Sequence, residues 1–69
     1  MADSLGNRLR DAREERGWTQ AKLAARIGVS RKTVNTIENR VFVPSTLIAL
    51  KLARAFAVPV EHLFFIAPD

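Results

Sequence analysis

Four residues, Gly17, Gly28, Pro44 and Pro59, cut this chain into short pieces. Glycine closes helices by turning left-handed, and proline starts or stops them. Any fold must therefore be assembled from short elements. It must also hold without covalent help, because the 69 residues include no cysteine. A chain of this length buries only about 60% of its unfolded surface. It needs efficient helix packing or a partner subunit. The absence of cysteine excludes disulfides and thiolate metal sites and fits a reducing compartment. No apolar run approaches the ~20 residues that span a bilayer. The opening "MADSLGNRLR" has no apolar core ahead of its charges, so it does not read as a signal peptide. The expectation is one cytoplasmic domain over residues 1–69, with no membrane partner, cofactor or metal.

Between the breakers, apolar residues recur with helical spacing. Residues 5–16 place Leu5, Leu9, Ala12 and Arg16 on one stripe, closed by Gly17. Thr19 is a natural cap for "QAKLAARI", with Leu23, Ala24 and Ile27 inward. After "GVS", Ser30 caps a third helix running to about Asn39. Pro44–Ser45 starts a fourth, "TLIALKLARAF", with Leu47, Leu50, Ala53 and Phe56 on one side. After Pro59 a single turn, "VEHLF", leads into the apolar end "FIAPD". The spacing predicts an all-α fold of four helices plus a short fifth, with strand patterning confined to the tail.

Charge is concentrated in the middle of the chain. Residues 1–18 hold four arginines and four acids, and residues 41–69 hold two charges of each sign. Residues 19–40 hold Lys22, Arg26, Arg31, Lys32 and Arg40 against Glu38 alone, which accounts for the whole net charge of +4. A focused basic patch suits a polyanion partner. On charge alone, a solvated basic surface is an equal reading.

The third helix separates the two. At about 100° per residue, Val34 and Ile37 mark its inner side. The opposite arc carries Arg31, Lys32, Asn35, Thr36 and Asn39 and contains no acid. Glu38 falls beside Val34, at the edge of the core. Arginine and lysine suit guanine acceptors, asparagine suits adenine, and a threonine methyl can touch thymine. Phosphates bind at helix N-termini, and two such ends are expected, at Thr19–Gln20 and at Ser30–Arg31. A helix of about eight residues, a short turn and a second helix form a helix-turn-helix, whose second helix fits the major groove of double-stranded DNA.

The stretch "WTQAKLAARIGVSRKTVNTIENR…PSTLIALKLARAFAVPVEHLF" resembles the phage repressor/Cro family, the Xre-type helix-turn-helix regulators, from about Leu9 to Phe65. It is most similar to short regulators of bacteria and archaea without a ligand domain. The resemblance implies a compact four- to five-helix repressor-like DNA-binding domain with its helix-turn-helix unit at 19–40. It implies that Gln20 braces on phosphate and supports the base-reading helix. Arg31, Lys32 and Thr33 then occupy the first base-reading positions, and Asn35 and Thr36 the later ones. Asn39 and Arg40 approach the DNA backbone. It also implies that Arg13 and Glu38 pair between the first and third helices; two unrelated surface charges is the alternative. Arg40 departs from the family, which often has glycine there. A left-handed turn at Arg40 costs roughly 1 kcal/mol that glycine avoids. Pro59 departs too, standing where a capping serine is common.

Trp18 precedes the Thr19 cap and reads as a hydrophobic staple or core residue. His62, the only histidine, has no catalytic or ligating companions nearby and reads as a surface or dimer residue. Phe56 and Leu63 read as core. Phe64, Phe65 and Ile66 are more than one small domain is expected to bury. Residues 59–67 are therefore expected to form a homodimer contact through Val60, His62, Phe64, Phe65 and Ile66. No serine–histidine–aspartate set, phosphate loop or metal spacing supports an enzyme. The expected function is a transcriptional repressor that binds an inverted-repeat operator as a homodimer. The alternatives are an antitoxin that neutralises a toxin protein and represses its own operon, or a DNA-binding domain of a longer regulator.

Overall fold

Thr19, Ser30 and Ser45 each begin a helix by the same device. In the computed structural model, which describes residues 2–68, their hydroxyls accept hydrogen bonds from the backbone N–H of Lys22 (3.0 Å), Thr33 (3.1 Å) and Ile48 (3.1 Å). Each bond satisfies an N–H that the first helical turn leaves without a partner. The elements are β1 (Asp3–Asn7), α1 (Leu9–Glu15), α2 (Gln20–Ile27), α3 (Arg31–Glu38), α4 (Thr46–Phe56), a 3₁₀ turn (Val60–His62) and β2 (Phe64–Pro68).

The fold is mostly helical but not all-α. β1 and β2 form a two-stranded antiparallel sheet in which Leu5 faces Ile66, Gly6 faces Phe65 and Asn7 faces Phe64. The stripe expected to carry a helix from residue 5 therefore supports one only from Leu9. Asn7 marks the boundary. Its side-chain oxygen accepts from Leu9 N–H at 3.1 Å, and its amide donates to Ile37 C=O at 2.9 Å. Gly6 is set by close packing, since a Cβ there would run into the Phe65 ring. The ring lies across the position where Gly6 lacks a side chain, and the Arg8 guanidinium sits 4.5 Å from its centroid on this edge of the sheet.

The core gathers Leu9, Leu23, Ile27, Val34, Ile37, Leu52, Phe56, Leu63 and Phe64. Each large apolar side chain buried there contributes about 1.5–3 kcal/mol. Trp18 packs on Phe56 with ring centroids 5.0 Å apart, and Arg16 donates to Phe56 C=O at 2.8 Å, closing the end of α4. α4 buries only part of the side expected of it, Ala53 and Phe56. Leu52, Ala53 and Phe56 are inside, while Leu47 and Leu50 are 62% and 54% exposed. The helix carries apolar residues on nearly every side, so periodicity does not single out a face. Phe64, expected at a dimer contact, lies in the chain's own core. The sheet turns it inward and leaves Ile66 72% exposed.

Candidate nucleic-acid interface

α2 and α3 are joined by Gly28, Val29 and Ser30. Gly28 takes φ 74°, which lets Gly28 and Val29 N–H both return to Ala24 C=O and stops α2 within one residue. α3 then starts at once under the Ser30 cap. Val34 and Ile37 anchor it, both with no exposed surface. With that side fixed, Arg31, Lys32, Asn35 and Asn39 are exposed, and Thr33 and Thr36 are half-buried.

Glu38, the one acid of α3, is held away from this face. Its side chain is wholly buried and meets Arg13 through Nε at 2.7 Å and Nη2 at 3.2 Å. Gln20 donates to the same carboxylate at 3.0 Å, and Arg10 at 3.4 Å. Arg13 also donates to Trp18 C=O at 2.8 Å. Burial acts to raise the Glu38 pKa. The bonds from Arg13 and Gln20, the charge of Arg13 and the bond from Arg10 outweigh it and hold the carboxyl below its usual range. The bond to Glu38 likewise raises the Arg13 pKa, against the effect of burial. One carboxylate thus ties α1, the start of α2 and the end of α3 together.

The geometry sorts the expected site residues. No side-chain hydrogen bond within the described residues engages Arg31, Lys32 or Asn35, so their donors are open. Ser30 is the α3 cap, and its hydroxyl also lies 2.9 Å from Thr33 Oγ1. The Thr36 hydroxyl donates to Lys32 C=O and Thr33 C=O, 3.0 Å each. Asn39 is engaged at both ends: its amide donates to Asn35 C=O at 2.9 Å, and its oxygen accepts from Arg10 at 3.0 Å. Gln20 is committed to Glu38 through its amide nitrogen. Arg40 takes φ 61°. Its N–H reaches Ile37 C=O and that of Val41 reaches Thr36 C=O, which closes α3 in a Schellman motif. The Arg40 guanidinium turns to β1 and donates to Ser4 Oγ at 3.0 Å. Arg10 was not singled out in the sequence. The signal was its i, i+3 spacing from Arg13, which puts both on one face of α1.

Among the described residues, no group of three or more histidine, cysteine, aspartate or glutamate side chains could hold a metal ion. No helix there is long and apolar enough to cross a membrane.

The chain is similar in sequence and fold to known proteins. The helix-turn-helix family HTH_3 matches residues 9–63. YgzD of Bacillus subtilis, named an uncharacterized HTH-type transcriptional regulator, is 40% identical over 65 residues, covering 94% of this chain and 98% of YgzD. An HTH-type transcriptional regulator of Archaeoglobus fulgidus is 40% identical over 60 residues, 87% of this chain and 86% of its own length. ImmR of Bacillus subtilis is 32% identical over 60 residues, 87% of this chain and 47% of ImmR. Among solved structures, the hypothetical transcription factor NHTF from Neisseria superposes with a TM-score of 0.74 at 28% identity, over 78% of this chain and 61% of NHTF. With α2, the glycine turn and α3 inside the matched span, the chain belongs to the Xre-type helix-turn-helix family.

Proposed function

We propose that this chain is a sequence-specific, double-stranded DNA-binding transcriptional regulator, a repressor that occupies an inverted-repeat operator as a homodimer. One observation carries the reading. The exposed face of α3 offers Arg31, Lys32 and Asn35 uncommitted, while its single acid is buried beneath Arg13. An acid-free donor face on a helix fits the major groove, where guanine and adenine present acceptors. The names of the relatives, HTH-type transcriptional regulators, support the same class. Gln20 acts here by holding Glu38 rather than by gripping phosphate through its amide. Asn39 steadies the end of α3 through Arg10.

The homodimer reading rests on the remaining apolar surface. Ile66 and Val43, 72% and 66% exposed, line one recess with Leu5, Asp3 and Arg40. A two-fold contact needs a self-complementary patch, and an apolar floor flanked by one acid and one base is of that kind. Val60, His62 and Phe65 extend the proposed contact, while Phe64 does not. A two-fold pair would set two α3 helices about 34–36 Å apart on successive major grooves.

The test is selection of bound sites from random duplexes, followed by affinity against salt. An inverted-repeat motif, with affinity falling steeply as salt rises, supports the reading. Absence of any enriched motif, with a flat salt plot, overturns it.

A further inference from the structure

Beyond α3 the chain doubles back onto the helix it has just left. Val41 and Phe42 both donate from backbone N–H to Thr36 C=O, at 2.9 and 3.2 Å. The loop is therefore pinned along one flank of the presented helix. Val41 is 78% exposed and Phe42 44% exposed. With Ser30, Lys32, Thr33 and Thr36 they line an open cleft of about 310 Å³. The hydroxyls of Ser30, Thr33 and Thr36 are spent on one another or on the α3 backbone. What the two threonines can offer a ligand is their methyl groups. The cleft thus has apolar walls, no acid and one lysine among its lining residues.

We propose that Val41 and Phe42, with the Thr33 and Thr36 methyls, receive the 5-methyl group of a thymine and are specificity-determining residues of this protein. The inference rests on the DNA-binding reading above. Charge favours duplex DNA as the occupant, because Lys32 lines the cleft and Arg31 adjoins it. The major groove presents one apolar group among its polar base edges, the thymine methyl. An apolar cleft beside free lysine and arginine donors matches that combination. The two residues lie outside the helix-turn-helix unit, so they add a base preference that α3 alone does not supply.

The experiment replaces each thymine of the selected operator, one at a time, by deoxyuridine, which lacks only the methyl. Affinities are measured for the wild-type chain and for Phe42→Ala and Val41→Ala. Both side chains are exposed, and unchanged melting curves verify that the variants fold. At one or two thymines per half-site, uracil weakens wild-type binding roughly threefold to tenfold, the worth of one or two buried methyl-sized groups. In at least one of the two variants that sensitivity falls below about twofold, since the wall that held the methyl is gone. Uniform indifference to uracil overturns the proposal. So does equal sensitivity in wild type and both variants. Equal weakening of thymine and uracil duplexes by both variants also overturns it, placing these residues in a dimer or backbone contact. If no duplex is bound at all, the DNA-binding reading itself fails, and that result is distinct from the others.

Discussion

Arg13 Nε lies 2.7 Å from Oε2 of Glu38, and the carboxylate it meets is wholly buried. The contact joins α1 to α3 and makes Glu38 a structural residue rather than part of the proposed DNA face. Removing one member of a buried, hydrogen-bonded pair leaves the other uncompensated. Glu38→Ala is expected to cost about 3–5 kcal/mol. Glu14→Ala, at an exposed position, should stay within about 0.5 kcal/mol of wild type. Urea denaturation of both variants checks this, and equal midpoints would contradict it.

The same carboxylate gives stability a pH dependence. Its folded pKa lies below the ordinary 4.5, because the Arg13, Gln20 and Arg10 contacts overcome the effect of burial. A lowered folded pKa means the unfolded chain binds the proton more readily. Its contribution is therefore complete above the ordinary carboxylate range and is lost as pH falls through the folded value. Melting temperature should fall on acidification, and Glu38→Gln, though less stable at neutral pH, should show a shallower acid limb. Parallel pH profiles for the two proteins would contradict this.

Arg40 carries backbone strain at φ 61°. Glycine adopts that conformation freely, so Arg40→Gly should stabilise the fold by about 1 kcal/mol, even though the bond to Ser4 is lost. Exposed bonds of that kind contribute little. Thermal melting checks the sign. A fall in melting temperature would mean that the link to β1 outweighs the strain.

The apolar tail divides between core and surface. Phe64→Ala should cost about 3–5 kcal/mol as a core truncation. Ile66→Glu should leave the fold intact and shift sedimentation equilibrium from dimer to monomer, with operator binding weakened in step. A dimeric Ile66→Glu that binds normally would move the interface elsewhere, Leu47 and Leu50 being the remaining exposed apolar pair on α4.

Local chemistry was legible in the sequence. The caps at Thr19, Ser30 and Ser45, the Gly28 turn and the buried side of α3 all follow from residues within one turn of each other. β1 was not legible, because its partner lies 63 residues away at the Ser4–Ala67 contact. Leu5, Leu9 and Ala12 fit a helical stripe as well. The pairing with β2, with Phe65 packed over Gly6, favours the strand, and it is seen only in space. The buried face of α4 was hidden by its surplus of apolar residues. The Arg13–Glu38 pair could be inferred from family resemblance, but the convergence of Arg10 and Gln20 on the same carboxylate depends on how three helices meet. No spacing along the chain records that.

Under the proposed function, the open face of α3 reads base edges. Arg31→Ala probes this contact, with affinity measured on the selected operator and on a random duplex at one salt concentration. The expected result is a loss of about 1–3 kcal/mol on the operator and a much smaller loss on random DNA, with selectivity relaxed at a single base pair per half-site. An equal loss on both duplexes would make Arg31 a phosphate contact and contradict base reading there.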